Sequence, residues 1–111
     1  MSQMERAMNL GTVGEIIATR QLFYFDDNQL RRTITAVVGK PHLSPGSLEF
    51  QCKFQIIGIG NPSAQTARGY DSIQALQSAL KLLAANLNHI NDQLGRRLTW
   101  DGGTNGELGF P

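Results

Sequence analysis

The sequence has few cysteines, no long apolar run and no excess of either charge sign. Its 111 residues include a single cysteine, Cys52, which excludes an intrachain disulfide and a multi-cysteine metal site. No apolar run approaches the ~20 residues of a membrane-spanning helix. Residues 1–10 lack the continuous apolar segment of a secretory signal. We therefore expect a cytoplasmic protein in a reduced compartment, without membrane contact.

The charge balance argues against binding to nucleic acid. Ten basic and nine acidic side chains give a formal net charge of +1, whereas proteins that bind phosphate backbones usually show a basic excess. We therefore expect no nucleic acid as partner. The apolar content of 41% is that of an ordinary globular protein, and the length suits a single domain with one modest core.

The N-terminal part predicts two strands joined by a turn. Residues 1–14 show no clear period, so we expect an irregular or short helical lead-in before a single domain at residues 15–111. Branched and aromatic residues at 15–25 favour a strand, with apolar side chains on both faces. The polar turn at 26–28 and a second strand at 30–38 complete a predicted hairpin. One face of the second strand is predicted to be apolar and to carry Leu30, Ile34, Ala36 and Val38.

The clearest predicted strand follows a loop at residues 39–46 that contains two prolines and two glycines. Apolar and polar residues alternate from Leu48 to Ile56, which predicts one buried and one solvated face. Cys52 lies on the apolar face, where we expect a small buried hydrophobe. Residues 58–69 are predicted to be a long connection.

One long amphipathic helix is predicted after this connection. Asp71 and Gln74 form a capping pair at its start, and Gly95 is expected to end it. Apolar residues recur at alternating spacings of three and four: Ile73, Leu76, Leu80, Leu83, Leu87, Ile90 and Leu94. This stripe also suits a coiled coil. The one-sided strand needs a cover, however, so we expect the helix to lie on the sheet.

The last fourteen residues, 98–111, which we call the tail, contain four of the twelve glycines and the only tryptophan. Residues 96–100 predict a last short strand, and residues 105–106 predict a tight turn. Trp100, Leu108 and Phe110 are expected to anchor the tail, because such residues are unusual in a disordered end. The predicted fold is α+β in β-β-β-α-(β) order, with an antiparallel sheet of three or four strands covered by one helix.

Several segments resemble a family of short bacterial proteins of unknown function. The similarity lies in a D-x-x-Q-A-L-Q helix start at 71–77 and in a W-x-G-G and G-x-L-G-F-P ending at 100–111. Residues 37–41 resemble the strand-then-proline segment of that family, and the overlap runs from about Thr33 to Pro111. The resemblance implies no activity and no catalytic residues. The small helix-on-sheet shape is also similar to immunity proteins of bacterial toxin systems, which is a fold-level analogy.

The sequence offers few groups for catalysis. Gly58 and Gly60 lie between a strand and the helix, but a dinucleotide-binding loop would need glycine at Ser63. His42 and His89 lack partners at metal-ligand spacing, and there is no G-x-S-x-G motif. We therefore expect no catalytic residues, no metal site and no cofactor.

These patterns favour a non-enzymatic protein-binding module, and in the sharpest form an immunity protein that neutralises a toxin. The expected partner is another protein, or a second copy in a homodimer. The expected binding residues are Arg68, Tyr70, Trp100, Asp101, Glu107 and Phe110. The alternative is a small ligand-binding protein or enzyme that uses residues 58–70 and the tail. A second alternative is an RNA-binding module, because strands followed by a helix also end a double-stranded-RNA-binding domain.

Overall fold

The computed structural model describes residues 12–103 and 106–111. In these ranges five strands precede one helix: β1 Ile16–Phe25, β2 Arg31–Gly39, β3 His42–Leu43, β4 Phe50–Ile57, β5 Gln65–Gly69 and α1 Ser72–Gln93. The predicted α+β class, antiparallel sheet and single long helix are confirmed. The predicted lead-in lies mostly outside the described residues, as does Asn105 of the predicted tight turn.

The strand pairing makes β3 a continuation of β2. The β2–β4 ladder ends at the pair Val38–Phe54, and the β3–β4 ladder resumes at His42–Gln51, one residue out of register. Phe50 pairs with β3 and with β5 at once, so β5 must lie on the opposite edge of β4. The sheet therefore runs β1, β2 with β3, β4, β5, and its two outer strands are β1 and β5.

The core lies between one face of the sheet, which we call the inner face, and α1. Alternate side chains of the strands are buried on this face: Leu22, Ile34, Ala36, Val38, Cys52, Phe54, Ile56 and Ala67. The helix adds Ala75, Ala79, Leu83 and Leu87. It lies mainly over β4 and β5 and touches β2 only at its margin. The inner face next to β1 therefore needs a different cover.

The tail supplies this cover. Leu98 and Leu108 are buried, and Trp100 and Phe110 pack half-buried against the same core. Thr99 exchanges two backbone hydrogen bonds of 2.9 Å with Phe23 of β1. The predicted anchoring of the tail by Trp100, Leu108 and Phe110 is therefore confirmed.

Both predicted ends of the helix are confirmed. Asp71 Oδ1 accepts the backbone N–H of Gln74 at 2.8 Å, and Gln74 Oε1 accepts that of Tyr70 at 2.7 Å. Gly95 follows the last turn with a φ of +68°, a left-handed conformation that glycine adopts without strain. The buried Asn91 then accepts the backbone N–H of Leu98 on its Oδ1 at 2.9 Å, which directs the chain into the tail.

Three predicted segments are corrected by the structure. The predicted connection at 58–69 contains the strand β5. The sequence of β5 shows no apolar alternation, because Ala67 is its one fully buried residue. The predicted loop at 39–46 contains β3. The predicted strand at 96–100 is reduced to the bridge at Thr99, because Arg96 has a φ of +62°, outside the range of an extended strand.

Three predicted core residues are instead exposed. Leu30 is 54% exposed, Leu48 90% and Ile73 66%. Leu30 and Leu48 precede β2 and β4, and Ile73 lies in the first turn of α1. In each case the apolar periodicity of the sequence extends beyond the residues that are covered by the facing helix or sheet. A prediction from periodicity alone therefore assigned these exposed side chains to the core.

Candidate functional site

Arg20, on the inner face of β1, is the centre of the contacts that hold the tail. Its Nη1 donates to the carbonyl oxygens of Leu108 at 3.0 Å and Gly109 at 2.8 Å. The guanidinium also lies over two rings, with Cζ 3.9 Å from the centroid of Trp100 and 4.9 Å from that of Phe110. Charged hydrogen bonds and cation–π contacts thus act together at one side chain. Sequence analysis missed Arg20, because one cation within an apolar strand gives no periodic signal.

Three glycines of the tail leave room for the indole of Trp100. A Cβ on Gly103 would lie 2.7 Å from the indole nitrogen, and one on Gly109 would lie 2.7 Å from Cε2 of the ring. A Cβ on Gly102 would lie 2.5 Å from Cη2. Side chains at these positions would collide with the ring. Packing around one tryptophan therefore explains the glycines of the W-x-G-G ending.

The four predicted tail residues differ in what they contact. Trp100 and Phe110 face Arg20 and the core. Asp101 is exposed to solvent. Glu107 is exposed, but its Oε2 accepts the backbone N–H of Gly109 at 2.7 Å, so it also shapes the tail.

Arg68 and Tyr70 lie at the other edge of the sheet. Arg68 belongs to β5, and three strand spacings of about 4.8 Å separate β5 from β1. Its Nη1 lies 3.8 Å from Oε2 of Glu49. The six predicted binding residues therefore form two groups, one in the tail beside β1 and one beside β5.

The region around Tyr70 carries the three most exposed large apolar side chains among the described residues. Leu48 is 90%, Tyr70 85% and Ile73 66% exposed, and Leu43 is 51% exposed. Strand pairing places Leu43 and Gly69, the residue before Tyr70, on the two sides of Phe50. Leu48 lies two residues before Phe50 along the chain, and Ile73 lies three residues after Tyr70 in the first turn of α1. We call Leu43, Leu48, Tyr70 and Ile73 the end surface.

A groove of about 290 Å³ adjoins the end surface. Its lining residues are Glu49, Arg68, Gly69, Tyr70, Gln74 and Ser78. The cap of α1 fixes the backbone of Tyr70, while its ring projects into solvent. The end surface therefore combines exposed apolar groups with the fixed backbone of Tyr70, and the adjoining groove adds the cation Arg68 and the anion Glu49.

The remaining candidate groups show no arrangement for catalysis. Cys52 is buried, its Sγ donates to the carbonyl oxygen of Gly39 at 3.4 Å, and burial raises the pKa of the thiol. Such a thiol is a poor nucleophile. His42 and His89 are exposed. Within residues 12–103 and 106–111, no three His, Cys, Asp or Glu side chains gather as metal ligands.

No helix within the described ranges has the length and apolar character needed to cross a membrane.

The comparisons with known proteins identify a family but no activity. A family model, described as Domain of unknown function (DUF6968), matches residues 18–111. No curated protein and no solved structure matches the chain. The matched region includes Arg20, the end surface, α1 and the tail. The chain therefore belongs to the DUF6968 family.

Proposed function

We propose that this protein is a non-enzymatic protein-binding module and that the end surface is its interface. The observation that carries the proposal is that the three most exposed large apolar side chains of the described chain all lie at or next to a lining position of one groove: Tyr70 lines it, Leu48 precedes the lining residue Glu49, and Ile73 precedes the lining residue Gln74. Large exposed apolar side chains in one region of a surface are typical of a site that another molecule covers. Tyrosine and arginine are also common among residues that dominate binding energy.

The charges around the end surface favour a protein partner over a membrane. Arg68 and Glu49 place one cation and one anion at its rim. A membrane-binding surface usually adds an excess of lysine and arginine to its apolar groups. An apolar centre with a polar rim of both signs is instead typical of protein interfaces.

The sharpest form of the proposal is that the partner is a toxin which this protein neutralises. Its support is the fold-level analogy with immunity proteins, which are also small helix-on-sheet domains. The proposal includes a cytoplasmic location, which the single free thiol of Cys52 favours.

In this proposal the tail has a structural role. Trp100 and Phe110 already contact Arg20, and Glu107 already binds the backbone of Gly109. Recognition is therefore assigned to Arg68 and Tyr70 rather than to the tail group of predicted residues.

Site-specific photo-cross-linking in the native host tests the proposal. A photoreactive phenylalanine analogue replaces Tyr70 in one variant and Phe25 in a matched control. Phe25 is also an exposed aromatic residue, 48% exposed, but it ends β1 at the opposite edge of the sheet. We expect a protein cross-linked through position 70 and not through position 25.

The affinity of the purified cross-linked protein then gives the quantitative test. Tyr70→Ala should weaken binding by about thirtyfold, as loss of a 2 kcal/mol hot spot does. Its unfolding midpoint should stay near that of the wild type, because the side chain is exposed. Phe25→Ala should bind with wild-type affinity.

Two outcomes would overturn the proposal. One is the absence of any cross-linked protein at position 70. The other is an equal loss of affinity in Tyr70→Ala and Phe25→Ala. A dimer of the purified protein that Tyr70→Ala dissociates would identify a second copy, not another protein, as the occupant of the end surface.

A further inference from the structure

An apolar groove of about 190 Å³ lies between the end of the tail and α1. Its walls are formed by Ala18, Ala36 and Val38 of the sheet, Leu80 and Leu83 of the helix, and Phe110 of the tail. The hollow exists because β1 and β2 present alanine methyl groups where larger side chains would fill the space below the helix. None of these residues belongs to the end surface.

Arg20 lines this groove and brings a positive charge to it, and no carboxylate of the described residues forms an ion pair with it. The five ion pairs among the described residues involve other arginines and a lysine. Both hydrogen bonds that Arg20 makes within this part of the chain use Nη1 and end on neutral carbonyl oxygens. A guanidinium has five N–H donors, so Nε and Nη2 retain donors for a further acceptor. A half-buried charge is stabilised by an opposite charge nearby.

We propose that this groove binds a small carboxylate with a short apolar or aromatic body. The carboxylate pairs with the guanidinium of Arg20, whose planar donors match its geometry. The body lies between the alanines of the sheet and the leucines of α1. An apolar cavity of about 150 Å³ accommodates benzene, so the groove suits a body of about six carbon atoms. This binding site is independent of the proposed protein interface.

The sole tryptophan provides a direct readout, because the Trp100 ring lies 3.9 Å from the centre of the Arg20 guanidinium. The full chain is titrated with benzoate and with hexanoate, and Trp100 fluorescence and the NMR signals of the Ala18 and Ala36 methyl groups are followed. Benzamide, which has the same ring but no charge, is the ligand control. We expect saturable changes with both carboxylates and binding of benzamide that is about tenfold weaker.

A variant that fills the groove gives the second comparison. Ala18→Leu should abolish benzoate binding while Arg20 stays in place. Gln21→Leu is the matched control, because it adds a similar side chain to β1 at an exposed position on the outer face. Gln21 follows the inner-face residue Arg20 in the strand. This variant should bind benzoate as the wild type does. If Ala18→Leu does not fold, the comparison of benzoate with benzamide on the wild type decides the question.

Three results would overturn the proposal: no saturable change with either carboxylate up to about 10 mM, equal binding of benzamide and benzoate, or full benzoate binding by folded Ala18→Leu.

Discussion

At the residue scale, side chains that bind backbone groups hold both the turns and the tail in place. The turn at Asp26 and the cap at Asp71 depend on side chains that bind backbone within a few residues, so a short sequence pattern specifies them. Arg20 binds carbonyl groups 88 and 89 residues further along the chain. No local pattern could indicate that partnership.

Arg20→Ala should lower the free energy of unfolding by about 2 kcal/mol, because it removes two charged hydrogen bonds and two cation–π contacts. The Trp100 emission should move to longer wavelength as the indole becomes more exposed. Arg31→Ala is the matched control. Arg31 also lies over a ring, with Cζ 3.9 Å from the centroid of Phe23, but it is exposed. Denaturant unfolding measures both changes, and equal losses in the two variants would contradict the role given to Arg20.

The hydrogen bonds of Asp26 in the hairpin turn lead us to expect that stability depends on pH. Its carboxylate accepts the backbone N–H groups of Leu30 and Asn28 and the Nε of Arg32. The bond from Leu30 is the largest cause that holds the pKa of Asp26 below its ordinary value, and the bond from Arg32 is the next. A lowered folded-state pKa stabilises the fold above the ordinary aspartate value, and this contribution is lost as the pH falls through the folded pKa.

Asp26→Asn should therefore destabilise the protein most near neutral pH. The difference from wild type should shrink as the pH falls below about 4, where the unfolded-state carboxyl protonates. Urea unfolding at a series of pH values measures this difference. A difference that stays constant from about pH 7 to about pH 2 would show that the carboxylate charge has no part in the turn.

At the scale of the elements, the sequence predicted the helix and the strands whose buried residues recur at a regular spacing. The helix and β4 show such a spacing along most of their length. β5 could not be predicted in this way, because it has one fully buried residue and is held by backbone pairing with β4. The predicted last strand was wrong for the opposite reason, since its residues favour a strand but the backbone turns at Arg96.

Two neighbouring leucines of α1 test the position of the helix on the sheet. Leu83 is 1% exposed and Leu82 is 46% exposed. Leu83→Ala should lower the free energy of unfolding by about 2–5 kcal/mol, because it leaves a cavity in the core. Leu82→Ala should cost less than about 1 kcal/mol. Equal losses in chemical denaturation would mean that α1 presents a different face to the sheet.

Two glycines of the tail test its packing in the same way. Gly103→Ala places a methyl group against the Trp100 indole and should cost about 1–3 kcal/mol, as overpacking does. Gly106 has a φ of +79° and open space around it, so Gly106→Ala measures the backbone cost alone, of about 1 kcal/mol. Trp100 emission should change in Gly103→Ala and stay unchanged in Gly106→Ala. Unchanged emission in both variants would contradict the packing of glycine against the ring.

At the scale of the whole molecule, the docked tail and the proposed interface lie at different edges of the sheet. The α+β class followed from the apolar periodicity of the sequence, and the docked tail followed from its apolar residues Trp100, Leu108 and Phe110. The division of the predicted binding residues into two groups could not be predicted from the sequence, because it depends on which strand lies at which edge of the sheet. Arg68 and Tyr70 remain available beside β5, whereas Trp100 and Phe110 are engaged beside β1.

Hydrogen–deuterium exchange of the protein, free and in complex with the partner cross-linked through position 70, tests this division most directly. We expect slower exchange on binding at residues 48–50 and 69–74 around the end surface, and unchanged exchange at residues 98–103 and 106–111 of the tail. Slower exchange confined to the tail would contradict recognition at the end surface and would place it at Trp100, Asp101, Glu107 and Phe110.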